Sequence, residues 1–178
     1  ETAILSIVDV GKNAKTTHFR IEPRLSICPK WFLSKFTKAP LNLQPKYTQV
    51  ADLSPSQDKI LSQMKPKGRY NIRLAEKKGV KITKIDTVNK KDREEFYKIY
   101  KQTFERNKFE GKQKDLFENL MTKCKPISSL FFAEYEGRRI ATAYVVYYGD
   151  RATYLYGASS NENRDVMAPY LLHWSIMK

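Results

Sequence analysis

Three apolar runs stand in quick succession late in the chain: Leu130–Tyr135, Ile140–Tyr148 and Ala152–Gly157. Glu136-Gly137 separates the first pair and Gly149-Asp150 the second. Glycine-bearing two-residue breaks between apolar runs mark tight turns between neighbouring strands. This meander constrains the fold more than any other stretch, because helical patterns flank it on both sides. Upstream, Val80–Asp86 has the composition of a strand. Lys91–Lys108 then spaces Phe96, Ile99, Tyr100, Thr103 and Phe104 at i, i+3, i+4, i+7 and i+8, the stripe of an amphipathic helix. Gly111 separates it from a second helix carrying Leu116, Phe117, Leu120, Met121 and Cys124 on one side. A last helix starts near Pro169. The order from Val80 is β-α-α-β-β-β-α, an α/β pattern.

The region before Val80 reads α-β-α-β-α. Ala3–Ala14 places Ile4, Leu5, Val8 and Val10 as a helix face would, with Gly11 as its stop. Thr16–Glu22 alternates like a strand and Pro23 closes it. Pro29 suits the first turn of a short helix with Trp31, Phe32, Leu33 and Phe36. Lys38–Tyr47 is a proline-punctuated loop, and Tyr47–Leu53 reads as a strand. Ser54, with Pro55 and Gln57 behind it, is predicted to cap a helix through a capping box. Pro66 and Gly68 interrupt that helix, and Gly79 ends the next one.

That next helix is the most charged part of the chain. From Lys65 to Lys81 seven Lys/Arg side chains face one carboxylate, Glu76, while Ile72, Leu74 and Ala75 supply an apolar side. The whole chain of 178 residues carries 33 Lys+Arg against 19 Asp+Glu, a net charge of +14. Such an excess favours a polyanionic partner: nucleic acid, a phosphorylated substrate or an anionic membrane surface. With 41% apolar and 12% aromatic residues, the chain has the composition of a folded protein. Two cysteines, Cys28 and Cys124, do not make a disulfide framework, and two distant histidines, His18 and His173, do not make a zinc site. Neither a signal peptide nor an apolar run of membrane-spanning length stands in the sequence. A cytoplasmic protein is expected. The chain begins without methionine inside a helical pattern and stops in mid-helix at Pro169–Lys178. It therefore reads as the middle of a longer protein.

Specific words in this order extend the reading. Arg20–Pro23 (RIEP), Gln44–Thr48 (QPKYT) and Gly68–Val80 (GRYNIRLAEKKGV) are followed by FYKIYKQTFERNKF, TYLYGASS and PYLLHW. Together they resemble the FemABX family of non-ribosomal peptidyltransferases, the peptidoglycan-bridge aminoacyltransferases, and the resemblance runs along essentially the whole chain. It implies an α/β, GNAT-like fold: a mixed sheet with flanking helices, present here as two partial subdomains. Residues 1–79 would be the later half of a first subdomain plus the basic connecting helix. Residues 80–178 would be the opening half of a second. The activity implied is transfer of an amino acid from aminoacyl-tRNA to the stem peptide of a lipid- or nucleotide-linked peptidoglycan precursor. No cofactor or metal is implied beyond the aminoacyl-tRNA donor, and a peripheral contact with an anionic membrane surface would suit a lipid-linked acceptor.

In that setting Arg69, Arg73, Lys77 and Lys78 are candidates for tRNA or pyrophosphate contacts, which depend on charge rather than base sequence. Arg106, in ERNKF, matches an arginine that the family uses at the precursor's phosphates, a task suited to its bidentate donors. Without the resemblance, it reads as a helix-end cation. Tyr154 and Tyr156 flank Leu155, so alternation places both on one side of their strand. The resemblance puts these tyrosines at the precursor, whereas aromatic core is the plain reading. Asn161 and Arg164 fall in a solvated loop.

Two rival functions stay open. A CoA-dependent N-acyltransferase of the same fold would cradle pyrophosphate on an R/Q-x-x-G-x-G/A loop. Here that segment is Arg164-Asp-Val-Met-Ala-Pro169, with Met167 for the first glycine and Pro169 lacking an N–H, which disfavours CoA. A non-catalytic basic RNA-binding module would use the cationic helix alone. No GxSxG or His/Cys pairing points to a nucleophile. The implied chemistry is attack of an amine on an activated ester, which needs positioning and removal of a proton. His173 has the chemistry of a base, but Leu171, Leu172 and Trp174 beside it mark it as a packing residue, and the catalytic group stays unassigned.

Overall fold

A computed structural model describes residues 2–13, 16–22, 27–41 and 47–178. Contacts within the chain gather into two units, 1–51 and 52–178. The sequence boundary at 79/80 lies inside the second unit.

In the first unit, helix α1 (Thr2–Asn13) runs through Gly11 rather than stopping there. The Gly11 carbonyl accepts from the N–H and hydroxyl of Thr16, at 3.3 and 2.9 Å, so the chain is turned by Thr16 instead of by the glycine. Helix α2 (Lys30–Lys35) follows Pro29, with Phe32 stacked on Phe36 at 4.5 Å between ring centroids. Neither Thr16–Glu22 nor Tyr47–Leu53 forms a strand. Alternation makes a segment able to be a strand, but a strand needs a ladder partner, and none is found among the described residues. Ala14, Pro23 and positions 42–46, and with them Gln44 of the QPKYT word, lie outside the described residues.

The second unit begins with α3 (Gln57–Gln63). Its cap is Ser56, whose hydroxyl accepts from the Lys59 N–H at 3.4 Å. The Ser54 capping box does not form, because the Ser54 N–H donates to Asp52 Oδ1 at 2.9 Å in a local turn. Pro66 opens α4 (Pro66–Lys77), and Gly79 at φ +85° ends it. β1 (Lys81–Ile85) leads into α5 (Lys90–Asn107), which carries a complete Asn89/Asp92 capping box. After α6 (Lys114–Lys123) come β2 (Ser128–Tyr135), β3 (Arg138–Tyr148) and β4 (Arg151–Ser159), then α7 (Ala168–Met177).

The strands pair in sequence order, β1-β2-β3-β4, and every neighbouring pair is antiparallel. The expected mixed sheet is therefore corrected to an antiparallel one, as two-residue hairpins between β2, β3 and β4 require. Glu136 and Gly137, at φ +50° and +73°, make the first hairpin turn.

Both faces of the sheet are covered. On one, α3, α4 and α7 pack Ile60, Ile72, Leu171 and Trp174 against Phe131, Ala143 and Val145. On the other, α5 and α6 pack Phe96, Tyr100, Phe117 and Met121 against Leu130, Phe132 and Tyr144. Phe117 is the hub of this second layer, meeting Phe96, Tyr97, Tyr100 and Tyr156 with ring centroids 4.8 to 6.0 Å apart. Phe117→Ala should therefore cost about 3–5 kcal/mol, read as a lowered midpoint in urea. A loss under 1 kcal/mol would mean that the layer does not hold the fold.

The ladder slips twice. Between β2 and β3 the register passes from Ala133↔Ala141 to Glu134↔Arg139, leaving Ile140 over. Between β3 and β4 it passes from Tyr144↔Tyr156 to Val145↔Tyr154, leaving Leu155 over. Each extra residue turns the next side chain to the opposite face.

Candidate substrate-binding surface

The last turn of α5 lies over the end of β4. Arg106 Nη1 donates to the carbonyls of Ser159 and Ser160, at 3.0 and 3.3 Å, and to Asn161 Oδ1. Its Nη2 donates to Ser159 Oγ and Thr103 Oγ1 at 3.2 and 3.4 Å. Thr103, one helical turn earlier, sits with its hydroxyl 2.9 Å from both Ser159 N and Ser159 O. Gln102 Oε1 accepts from the Asn161 N–H at 3.0 Å. Thus Arg106 is more than a cation at a helix end: it ties the strand terminus and the loop behind it to α5. Burial, and then the nearby Arg164 charge, pushes the Arg106 pKa below its ordinary value. Among the described residues neither arginine is paired with a carboxylate, so two unneutralised guanidinium groups, Arg106 of α5 and Arg164 of the loop itself, stand at Ser160–Arg164. The sequence reading, which left Asn161 and Arg164 to solvent, missed this convergence. Only the turn of β4 into the loop brings them to Arg106.

Tyr154 and Tyr156 do not share a face, which corrects the alternation read from sequence. The bulge at Leu155 sends Tyr156 into the α5/α6 layer, edge-on to Phe117 and Tyr100 at 5.0 and 6.4 Å. Tyr154 goes to the opposite face, where its ring lies 4.5 Å from that of His173 on α7, the planes tilted by 32°. Gly157 makes this possible: a Cβ at that position would stand 1.5 Å from the Tyr154 hydroxyl. Burial raises the pKa of both tyrosines, and for Tyr156 the neighbouring Tyr100 adds to it. Burial alone lowers that of His173 from its ordinary value of 6.5.

The four cations of α4 divide into two pairs. Arg69 folds back over the end of α3, its Nη1 donating to the Met64 carbonyl and, at 3.3 Å, to that of Ser62. Lys78 Nζ meets Asp165 Oδ2 at 2.6 Å, tying α4 to the turn before α7, and each raises or lowers the other's pKa in favour of the charged pair. Arg73 and Lys77 are exposed, with no ion pair among the described residues. The buried side of α4 is Asn71, Ile72 and Ala75.

A groove of about 730 Å³ lies between α5 and the β2–β3 turn, with Asp92, Lys98, Arg138 and Glu162 in its wall. The bulge at Ile140 turns Arg139 toward α5. There its Nη1 meets the buried Asp92 at 2.8 Å, its Nε meets Glu134 at 3.5 Å, and its guanidinium lies 4.0 Å from the Phe132 ring centre. The Asn89-x-x-Asp92 spacing was the available signal for this capping carboxylate; starting the helix at Lys91 hid it. Among the described residues there is no group of three or more His, Cys, Asp or Glu that could hold a metal. No described helix is long and apolar enough to cross a membrane. In the loop Arg164–Pro169, Met167 adopts φ +57°, a left-handed backbone that glycine holds at less cost, and stands directly before α7.

The second unit is thus an antiparallel sheet covered by helices on both faces, with the Arg106 and Arg164 guanidinium groups, among the described residues, unpaired with carboxylates at the end of β4. A model of the FemAB family matches residues 30–138, well over half of the chain, and the chain belongs to that family. Two relatives, each a lipid II:glycine glycyltransferase from a strain of Staphylococcus epidermidis, are 21% identical over an alignment of 199 positions. The alignment covers 76% of this chain and 47% of each relative, so the chain spans about half the length of the curated relatives it matches. The crystal structure of FemX shares the fold, with a TM-score of 0.65 at 18% identity over 70% of this chain and 47% of that one.

Two outcomes test the site's construction. Arg106→Lys keeps the charge but gives up most of the five hydrogen bonds, and should destabilise the protein by about 1.5–3 kcal/mol. Equal urea midpoints would refute its role as the tie between α5 and β4. For His173 the folded pKa lies below the unfolded 6.5, so below pH 6.5 the unfolded state binds more protons. Stability should then fall as pH drops from 6.5 and level off below the folded pKa. His173→Phe should remove that decline, and parallel curves for the two proteins would show that the imidazole is not held neutral.

Proposed function

We propose that the full-length protein moves an amino acid from aminoacyl-tRNA to the stem peptide of a peptidoglycan precursor, as a cytoplasmic cross-bridge aminoacyltransferase. The observation that carries this reading is the FemAB match over residues 30–138, and a relative named as a lipid II:glycine glycyltransferase supports a lipid-linked acceptor. The architecture in this reading is GNAT-like, with partial subdomains at 1–79 and 80–178 joined through the basic helix. The donor is the aminoacyl-tRNA, with no further cofactor.

The charges fit such substrates. Arg106 and Arg164 offer guanidinium groups without carboxylate partners, suited to the precursor's phosphates. Arg73 and Lys77 stand exposed on α4 and suit the tRNA backbone, while Arg69 and Lys78 hold that helix in place. Tyr154 contacts the precursor and Tyr156 supports the strand from the opposite face. The same basic surface would meet anionic lipid headgroups where the precursor is anchored. CoA fits less well, because Met167 and Pro169 deny the loop the close backbone approach and the N–H donors that a pyrophosphate uses.

The test gives the full-length protein a panel of charged tRNAs carrying labelled amino acids, together with a lipid-linked precursor. Label should enter the precursor with at least one tRNA, and incorporation with none would overturn the reading. Arg73→Glu with Lys77→Glu should weaken tRNA binding and reduce the slope of log K against log salt by about 1.5.

A further inference from the structure

His173 and Tyr154 form a pair that the packing of the molecule does not account for. A histidine kept for the core has its ring nitrogens hydrogen-bonded. Among the described residues, those of His173 have no partner, nor has the Tyr154 hydroxyl. Neither residue is enclosed: His173 is partly exposed, and Tyr154 is 43% exposed. The rings are nevertheless fixed against each other at 4.5 Å, and Gly157 leaves the space in which the hydroxyl lies. β4, which carries Tyr154, has only β3 as a ladder partner among the described residues. The pair thus stands at a rim rather than inside a core.

The surroundings set its chemistry. In this layer Tyr135 of β2 and Tyr147 of β3 pack against the core, Lys84 of β1 lies over the Tyr147 ring, Lys78 of α4 is tied to the turn before α7, and Tyr170 and Lys178 stand on α7 and at its end. Lys78 and Lys84 are paired with Asp165 and Asp86. Among the described residues no charge shifts His173; its partial burial lowers its pKa and so favours the neutral form. A neutral imidazole with a free ring nitrogen accepts a proton. The Tyr154 hydroxyl, its pKa raised further above neutrality, remains a donor.

Amine attack on an ester requires one such acceptor. We propose that His173 is the proton acceptor for the attacking amine and that Tyr154 is the positioning residue that fixes its ring, an inference that rests on the transfer reaction proposed above. The amine nitrogen bonds to the acyl carbon, and the bond from that carbon to the carrier's oxygen breaks. The surplus proton of the nitrogen passes to a ring nitrogen of His173. The imidazolium then returns it to the departing alkoxide, which leaves as a hydroxyl. Charges and atoms balance without any further reactant.

The experiment uses the full-length protein, the labelled aminoacyl-tRNA that serves as donor in the panel above, and the lipid-linked precursor, across pH 5 to 8. His173→Gln should lower kcat about 100-fold or more with KM within twofold. It should also abolish the acidic limb of the kcat profile that wild type shows. Tyr154→Phe, which keeps the ring stack, should retain that limb. In wild type, the midpoint of the limb should coincide with the NMR titration of the His173 imidazole, a measurement that stands even if the glutamine variant fails to fold. An active wild type with His173→Gln within threefold of its kcat overturns the proposal alone. So does a limb that survives in the variant, or one whose midpoint differs from the imidazole titration. A wild type that transfers nothing from any charged tRNA of the panel overturns the underlying reaction, and the proposal falls with it.

Discussion

Two surplus residues in the sheet, Ile140 and Leu155, decide which helical layer each polar side chain of the surface meets. β2 and β3 are buried on both faces, so every position along them and beside them is committed to one layer or the other. An extra residue reverses the assignment for everything beyond it. At Ile140 the reversal puts Arg139 on the α5 side, against Asp92 and over Phe132. At Leu155 it leaves Tyr156 with Phe117 and takes Tyr154 across to His173. Regular pairing would give both tyrosines to one layer and leave His173 without its ring partner.

The same logic explains what was legible in the sequence. Helix α5 was plain because its stripe of Phe96, Ile99, Tyr100 and Phe104 repeats at helical spacing, and tertiary packing asks nothing different of it. The β2–β3 turn was plain because Glu136-Gly137 carries its own backbone preference. Bulges carry no such local mark. A period-two reading of Tyr154-Leu155-Tyr156 takes equal steps, and only the partner strand shows that one step is missing. The misplaced cap has a similar origin. Ser54 has the capping-box spacing in the sequence, but Asp52, by engaging the Ser54 N–H, leaves Ser56 to start the helix. Thr16–Glu22 and Tyr47–Leu53 have the composition of strands, but a ladder depends on residues far away in the chain.

Charge was legible in amount but not in allocation. The sequence shows a basic helix; it does not show that Arg69 is spent on the carbonyls at the end of α3 or that Lys78 is spent on Asp165. Those two residues hold α4 against its neighbours, and the cost of desolvating an arginine is offset by the carbonyls it satisfies. What remains for a ligand is set by subtraction. Arg73 and Lys77 stay on the exposed side, while Arg106 and Arg164 lie close together without a carboxylate between them.

That last arrangement couples the two sides of the sheet. Arg106 grips Ser159, Ser160 and Asn161, so the path of the chain out of β4 is fixed from the α5 layer. The same path runs on through Asn163 and Met167, both with positive φ, into α7 on the other layer. His173 therefore takes its position from a strand end that Arg106 holds, and Tyr154 takes its position from a bulge on that same strand. An anion drawn to Arg106 and Arg164 would bind at the loop joining the two. The strand end that Arg106 holds on one layer and the imidazole on the other are thereby placed along a single stretch of backbone, from Tyr154 to His173. A substitution that loosens Arg106 acts on both, because the strand end is the only covalent route between them.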